Sequence, residues 1–171
     1  MDHLIKHTGI TFTTAAFLEL AAEILGRGKT LRFQARGVSM RPLVRDGDVL
    51  LVKPIDPQNI RLGDVVLCKN QSEQAVVHRV ICKRQEEDGL AYQVKGDQSV
   101  QPDGWLPVGC VYGKLIGIER DGQSIEMDKR QIRLLSWLAV QRSKLHSDKR
   151  TCLQPLSQLI RNLPVFRTYL S

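Results

Sequence analysis

A serine in a turn-forming segment and a histidine in an apolar segment are the two residues of this chain best suited to chemistry. Ser39 lies in the sequence Gly-Val-Ser-Met-Arg-Pro at 37–42, and His78 follows it by 39 residues in Val-Val-His-Arg-Val. A serine hydroxyl is a weak nucleophile until a base removes its proton, and imidazole accepts protons near neutral pH. The pair therefore predicts acyl transfer, with Ser39 as the nucleophile and His78 as the general base.

The segment before Ser39 is predicted to contain an amphipathic helix. Thr13 or Thr14 is suited to cap its start, and Gly26 ends it after Leu25. Apolar residues recur at the spacing of one helix face, which favours packing against the rest of the protein. Residues 1–29 are therefore predicted to form an N-terminal helical segment. The apolar residues are Phe17, Leu18, Leu20, Ala21, Ile24 and Leu25.

From residue 30 to residue 128 the pattern changes to short strands. Leu31, Phe33 and Ala35 alternate with polar residues, and apolar runs follow near 49–52, 65–67, 75–81, 92–94 and 111–118. Turn-forming Asp-Gly or Gly-Asp pairs separate them at 46–47, 63–64, 88–89, 96–97 and 121–122. Many short strands without helices between them predict an all-β barrel or sandwich over residues 30–128.

The last part of the chain, residues 129–171, is predicted to be a basic helical tail. It carries nine lysines and arginines and one acidic residue, a net charge of +8, whereas the rest of the chain carries −1. A basic helix beside apolar residues is suited to an anionic membrane surface or to nucleic acid. The alternative is a solvated face on a helix that packs against the domain, and both remain open.

Composition and motif content limit the class of protein. Of 171 residues, 42% are hydrophobic, which is enough for one folded domain. The chain has no apolar run of the roughly 20 residues that a membrane-spanning helix needs, and no signal-peptide pattern. These features predict a cytoplasmic protein, with peripheral membrane contact and the oligomeric state left open. The four cysteines form no C-x-x-C pair, which favours buried reduced thiols and predicts no metal site and no cofactor.

The order of several short motifs resembles the type I signal peptidase superfamily. The likeness covers residues 30–120 and is greatest to the archaeal and endoplasmic-reticulum branch, because His78 stands where the bacterial branch has lysine. The motifs are Gly-Val-Ser-Met-Arg-Pro at 37–42, Arg-Asp-Gly-Asp-Val-Leu-Leu-Val at 45–52, Leu-Gly-Asp-Val-Val-Leu at 62–67, Val-Val-His-Arg-Val-Ile at 76–81, Val-Lys-Gly-Asp at 94–97 and Asp-Gly-Trp at 103–105.

This resemblance implies a small signal-peptidase-like β domain that acts as a serine endopeptidase on a peptide or preprotein. Ser39 matches the family's nucleophile and His78 its general base. Asp103, six residues after Asp97, matches the acid that orients the histidine, and Asp97 is the second candidate. Gly37 and Met40 are then expected beside the substrate.

Other interpretations of the same residues stay open. Related self-cleaving repressors share the fold and the Ser-Met motif but use lysine as the base, which His78 argues against. A non-catalytic binding module on the same fold would use the basic tail to contact nucleic acid or another protein. The resemblance implies a precursor or signal-type peptide as the substrate. Family members carry a membrane anchor where this chain has the amphipathic helix, so a cytosolic precursor peptide, or a peripheral membrane protein bound through its tail, stays open. Arg79 is expected to face away from His78 and to pair with a surface acid, because neighbours on a strand point to opposite faces.

Overall fold

One curled antiparallel β-sheet forms the centre of the protein, as seen in a computed structural model that describes residues 5–7, 10–87, 89–129, 132, 136 and 138–141. Neighbouring strands in the sheet follow the order β3-β4-β9-β5-β6-β7-β8, and β10 pairs with β9. The predicted all-β class is therefore confirmed. The elements are β1 (Ile5–His7), β2 (Ile10–Phe12), α1 (Thr14–Gly26), β3 (Leu31–Gln34), β4 (Val49–Lys53), β5 (Val65–Lys69), β6 (Ala75–Glu86), β7 (Gly89–Lys95), β8 (Trp105–Pro107), β9 (Val111–Arg120) and β10 (Gln123–Glu126).

The predicted amphipathic helix is present as α1. Thr13 caps its start, because the Thr13 hydroxyl accepts a hydrogen bond from the Ala16 N–H. Phe17, Ala21 and Leu25, spaced by one helical turn, are buried against the sheet. The helix begins and ends within a residue of its predicted bounds.

Strand pairs also occur where the sequence did not predict them. β1 and β2 form a separate hairpin before α1, so the 1–29 segment is not helical throughout. β10 follows the Asp121-Gly122 turn and pairs with the end of β9. Its side chains are mostly exposed, so the strand lacks the apolar alternation on which the prediction depended.

Two apolar clusters cover opposite faces of the central strands. Val65 and Leu67 of β5 belong to one cluster, which also contains Phe17 of α1. Val66 belongs to the second cluster with Tyr92 of β7. Because both faces of β5 and β6 are covered, polar groups on these strands can be held in buried positions.

The end of the described chain supports only part of the prediction for the tail. Residues 132, 136 and 138–141 are helical, and Val140 is buried. The second predicted tail segment, from 153 to 163, lies outside the described residues. Among the residues that are described, no helix is both long and apolar enough to cross a membrane.

The predicted reduced thiols are found at two of the four cysteines. Cys68 is buried and free, and Cys110 is partly buried and free. Cys82 is buried as well, and Cys152 lies outside the described residues.

Candidate active site

The structure brings Ser39, His78 and Asp103 together in one hydrogen-bonded row. The Ser39 Oγ lies 3.0 Å from Nε2 of His78. The other ring nitrogen of His78, Nδ1, is hydrogen-bonded to a carboxylate oxygen of Asp103. The His78 side chain is 7% exposed and that of Asp103 is 19% exposed, so water competes little for these contacts.

The partners of the imidazole determine where its proton lies. An ionised carboxylate only accepts hydrogen bonds, so Nδ1 of His78 carries the proton that is donated to Asp103. Nε2 then keeps a lone pair, and the Ser39 hydroxyl donates to it. This is the arrangement in which an imidazole can remove a proton from a serine.

The loop between β3 and β4 carries Ser39. Gly37 has φ +98°, a conformation that favours glycine, and its N–H donates to the Asp46 carboxylate at 2.8 Å. On the other side of the serine, Met40 is buried in the core and its carbonyl accepts from the Val44 N–H. The loop is therefore held on both sides of the nucleophile.

The loop between β7 and β8 contacts the serine directly. The Gln98 N–H donates to the Ser39 carbonyl at 2.8 Å. A Cβ added to Gly96 would lie 2.6 Å from the Ser99 hydroxyl, 2.9 Å from the Ser39 carbonyl oxygen and 3.0 Å from the Ser39 Cβ, so a side chain there would force one of these segments to shift. The N–H groups of Ser39 and Met40 bind no acceptor in the part of the chain that the structure describes. They are candidate donors to a developing oxyanion.

Asp97 does not lie against His78. Its carboxylate accepts two hydrogen bonds from Arg79, at 2.8 and 2.7 Å. The Arg79 Nη1 donates to the Gly63 carbonyl at 2.9 Å and to the Ser136 hydroxyl at 2.7 Å. Arg79 does pair with an acid as expected, but its side chain is only 3% exposed. The expectation of a surface pair is wrong because Gly63 and Ser136 cover this face of β6.

A cavity of about 520 Å³ opens beside the serine, between two segments of chain. We call it the active-site groove. One wall is the stretch from Phe33 to Met40, and the other is the stretch from Gln74 to His78. Gly37 and Met40, predicted beside the substrate, both line the groove. The remaining lining residues are four apolar and four polar ones: Phe17, Val44, Leu50 and Leu67, and Asn70, Gln98, Ser99 and Asp103.

Both walls of the groove have a strand edge without a partner strand. Ala75–His78 pairs with β5 on one side, whereas pairing with β7 begins only at Arg79. On the other wall, β3 lies at the end of the strand order, so its second edge has no partner among the described strands of the sheet. Its pairing with β4 ends at Gln34, although Ala35 still exchanges backbone hydrogen bonds with residues 47–48. In the described residues, no strand fills the space between these edges. Unpaired strand edges are templates for an added extended segment.

Cys68 is a buried thiol close enough to Asp103 to be affected by its charge. Burial raises the pKa of Cys68 well above its ordinary value, and the negative charge of Asp103 raises it further. Cys68 therefore remains a neutral thiol. Since the thiolate is the reactive form, Cys68 does not compete with Ser39 as a nucleophile.

Several residues of the site were not found from the sequence. Gly96 and Gln98 hold Ser39 in place, and the Val-Lys-Gly-Asp motif contained a signal for Gly96, since glycine marks close backbone approach. Phe17 and Phe33 line the groove but matched only the general apolar pattern of α1 and β3. Nothing in that pattern distinguishes a groove residue from a core residue.

The sequence was also compared with known proteins. Residues 8–95 match the profile of the family described as Peptidase S24-like. The chain belongs to the S24-like peptidase family. The S24-like match contains Ser39 and His78, whereas Asp97 and Asp103 lie beyond its end.

One curated relative of this S24-like protein is signal peptidase I W of Bacillus subtilis (strain 168). The two sequences are 34% identical over 77 residues, which is 44% of this chain and 40% of the relative. The match therefore spans less than half of either protein. The predicted membership of the type I signal peptidase superfamily is confirmed by the two matches together.

Proposed function

We propose that this S24-like protein is a serine endopeptidase that cleaves a precursor or signal-type peptide through an acyl-enzyme. The observation that carries the proposal is the hydrogen-bonded row of Ser39, His78 and Asp103 at the side of an apolar groove. The 3.0 Å contact between Ser39 and His78 is within the range required for proton transfer between a nucleophile and its base.

The first half-reaction uses each member of the row. The Ser39 Oγ attacks the substrate carbonyl carbon while its proton passes to Nε2 of His78. Asp103 stabilises the resulting imidazolium through Nδ1 and holds the ring in position. The oxyanion accepts hydrogen bonds from the N–H groups of Ser39 and Met40, and one such donor is worth about 3 kcal/mol.

The first half-reaction ends when His78 gives its proton to the leaving amine, the C–N bond breaks, and the acyl group remains on Ser39. In the second half-reaction water enters, and His78 takes one of its protons as the water oxygen attacks the ester carbon. His78 then returns that proton to the Ser39 Oγ as the bond between the acyl carbon and Oγ breaks and the acid leaves. The same imidazole acts as base, then acid, in each half.

The walls of the groove support an extended substrate. A peptide lying between Ala75–His78 and the stretch around Arg36 would satisfy backbone groups that neither wall pairs with a strand of the sheet. Its carbonyl would pass Ser39 at the end of these edges, and its side chains would enter the apolar groove.

The decisive test compares wild-type protein with Ser39→Ala. Both are incubated with a panel of peptides that contain Ala-x-Ala, and products are identified by mass spectrometry. We expect cleavage by the wild type and its loss in Ser39→Ala, because the acyl-enzyme cannot form. Ser124→Ala is the matched control, since Ser124 is an exposed serine on β10 and should leave cleavage unchanged.

Other outcomes would favour the alternatives. If every peptide stays intact with the wild type, the peptidase proposal is contradicted, and salt-dependent binding to DNA or RNA would favour a binding module. If the wild-type chain shortens itself while Ser39→Ala does not, the self-cleaving alternative is favoured. Intact-mass measurement of the protein in the same samples distinguishes these cases.

A further inference from the structure

The two candidate oxyanion donors belong to neighbouring peptide groups of the loop that carries the nucleophile. Both groups are trans, and in a planar trans peptide the carbonyl and the N–H point in opposite directions. The Met40 N–H shares its peptide group with the Ser39 carbonyl, and the Ser39 N–H shares its group with the Val38 carbonyl. The contacts that hold these two carbonyls therefore set the directions in which the two donors point.

Both carbonyls accept a hydrogen bond, and Gln98 is connected to each of them. The Gln98 N–H donates to the Ser39 carbonyl at 2.8 Å. The Val38 carbonyl accepts from the Arg41 N–H at 3.1 Å. The Arg41 carbonyl in turn accepts from Nε2 of the Gln98 side chain at 3.2 Å. One residue of the loop between β7 and β8 thus holds the Met40 N–H directly and the Ser39 N–H through Arg41.

The loop segment that presents Gln98 is itself held in place. Its preceding residue, Asp97, accepts two hydrogen bonds from Arg79, whose side chain is buried. On its other side, the Ser99 N–H donates to the Gly96 carbonyl at 3.0 Å. Gln98 also lines the active-site groove, although its side chain is exposed. A fixed backbone with a side chain at the groove is suited to orient the neighbouring loop.

We propose that Gln98 is a positioning residue for the oxyanion hole, which holds the Ser39 and Arg41 carbonyls so that the N–H groups of Met40 and Ser39 point at the developing oxyanion. This inference rests on the proposed peptidase function. Donors that are aligned before the reaction stabilise the new charge without reorganising. Loss of one such donor lowers kcat by roughly 10²- to 10³-fold, and a donor that is kept but less well aligned should cost less.

The test compares kcat and KM in the wild type and in Gln98→Met. Methionine has a similar length and keeps the backbone N–H, so the substitution removes only the side-chain bond to the Arg41 carbonyl. We expect kcat to fall about tenfold with little change in KM, because the donors act mainly on the charge that forms in the transition state. An unchanged kcat would overturn the inference.

Gln101→Met is the matched control. Gln101 is an exposed glutamine of the same loop that does not line the groove, so its kcat should equal that of the wild type. An equal fall of kcat in Gln98→Met and Gln101→Met would show a general effect on the loop and would contradict the positioning role. Thermal unfolding of each variant verifies that it is folded.

An aldehyde inhibitor separates positioning of the donors from contact with the substrate. The Ser39 Oγ adds to the carbonyl carbon of an Ala-x-Ala peptide aldehyde, its proton passes to His78, and the carbonyl oxygen becomes an oxyanion. We expect the affinity for the aldehyde to fall about tenfold in Gln98→Met. Affinity for the uncleaved peptide, titrated into Ser39→Ala with and without Gln98→Met, should not change. Equal losses for aldehyde and peptide would overturn the inference.

The outcomes also separate this inference from the proposed function. If the wild type and Gln98→Met cleave peptides with the same kcat, the positioning role is wrong and the peptidase proposal stands. If the wild type neither cleaves the peptides nor binds the aldehyde, the peptidase proposal is contradicted and this inference with it.

Discussion

Two consecutive residues of β6 pair with two aspartates of the same loop, with different consequences. His78 faces the groove, where Asp103 occupies one ring nitrogen and the other remains available to Ser39. Arg79 faces the opposite side, and its hydrogen bonds go to Asp97, to the Gly63 carbonyl and to Ser136. In the first pair, the second imidazole nitrogen remains free to accept a proton. In the second pair, the Arg79 guanidinium only donates hydrogen bonds and has no lone pair to accept a proton. Similar pairing thus orients a base on one face and fixes the loop on the other.

Of the substitutions that break either of these two pairs, Asp103→Asn should have the largest effect on activity. An asparagine amide donates where the carboxylate accepted, so it favours the imidazole tautomer whose Nε2 carries a proton and cannot act as base. We expect kcat to fall by about 10⁴-fold, with little change in the unfolding temperature. Steady-state cleavage of a peptide substrate provides the measurement. A loss of less than tenfold would show that Asp103 does not orient the base.

The pH dependence of cleavage should follow His78 and not Arg79. Imidazole changes charge between pH 5 and pH 8 in ordinary surroundings, whereas guanidinium does not. An imidazolium has no lone pair for the Ser39 proton, so the rate at pH 5 should be lower than at pH 8. Initial rates across this range, with circular dichroism to verify folding at each pH, provide the check. A flat profile would argue against His78 as the base.

Breaking the pair of Arg79 and Asp97 should lower the free energy of unfolding more than it lowers the rate of cleavage. Asp97→Asn leaves the Arg79 side chain, only 3% exposed, without its carboxylate partner. Removing one member of a buried pair costs about 3 kcal/mol, which urea unfolding would detect. The folded fraction should keep the wild-type shape of the pH–rate profile, because Asp97 does not contact His78.

A matched control for this substitution is the exposed pair of Arg32 and Glu119. Its side chains are 52% and 35% exposed, so solvent screens their attraction. Arg32→Gln should therefore leave the urea midpoint almost unchanged. If Asp97→Asn and Arg32→Gln shift the urea midpoint equally, the pair of Asp97 and Arg79 does not stabilise the fold more than an exposed ion pair does.

The two faces of β6 also differ in how well the sequence predicted them. Ser39, His78 and Asp103 could be found because they lie in short motifs whose order is informative. Strand alternation correctly separated His78 from Arg79, but it gave no information on whether the second face is covered. That cover comes from Gly63 and Ser136, 16 and 57 residues away in the chain. The alternation of apolar and polar residues along a strand indicates which face of the sheet a side chain is on, but not which residues pack against that face.

The fold shows the same division between local and distant information. The helix α1 and the apolar strands could be predicted from the spacing of their apolar residues and, for α1, from a threonine suited to cap its start. β10 did not, because its side chains are mostly exposed and its stability comes from pairing with β9. Phe17 was recognised as a buried helix residue, yet its contact with the groove depends on β3. Residues joined across the sheet need tertiary structure to be recognised as parts of one site.

The smallest expected effect concerns a second aspartate–arginine pair, Asp48 and Arg120, neither of which contacts the serine. Burial alone would raise the pKa of the Asp48 carboxyl, but hydrogen bonds from the Arg120 side chain and the Arg45 N–H outweigh it, and the pKa is lowered from 3.8. A carboxyl with a lowered pKa in the folded state contributes stability above its unfolded-state pKa and loses it as the pH falls through the folded-state value. The free energy of unfolding should therefore drop more steeply in the wild type than in Asp48→Asn as the pH is lowered below about 4. Urea unfolding at a series of acidic pH values measures both slopes, and equal slopes would contradict the prediction. Cleavage rates between pH 5 and pH 8 should not respond to this pair, because Asp48 stays ionised there and contacts neither Ser39 nor His78.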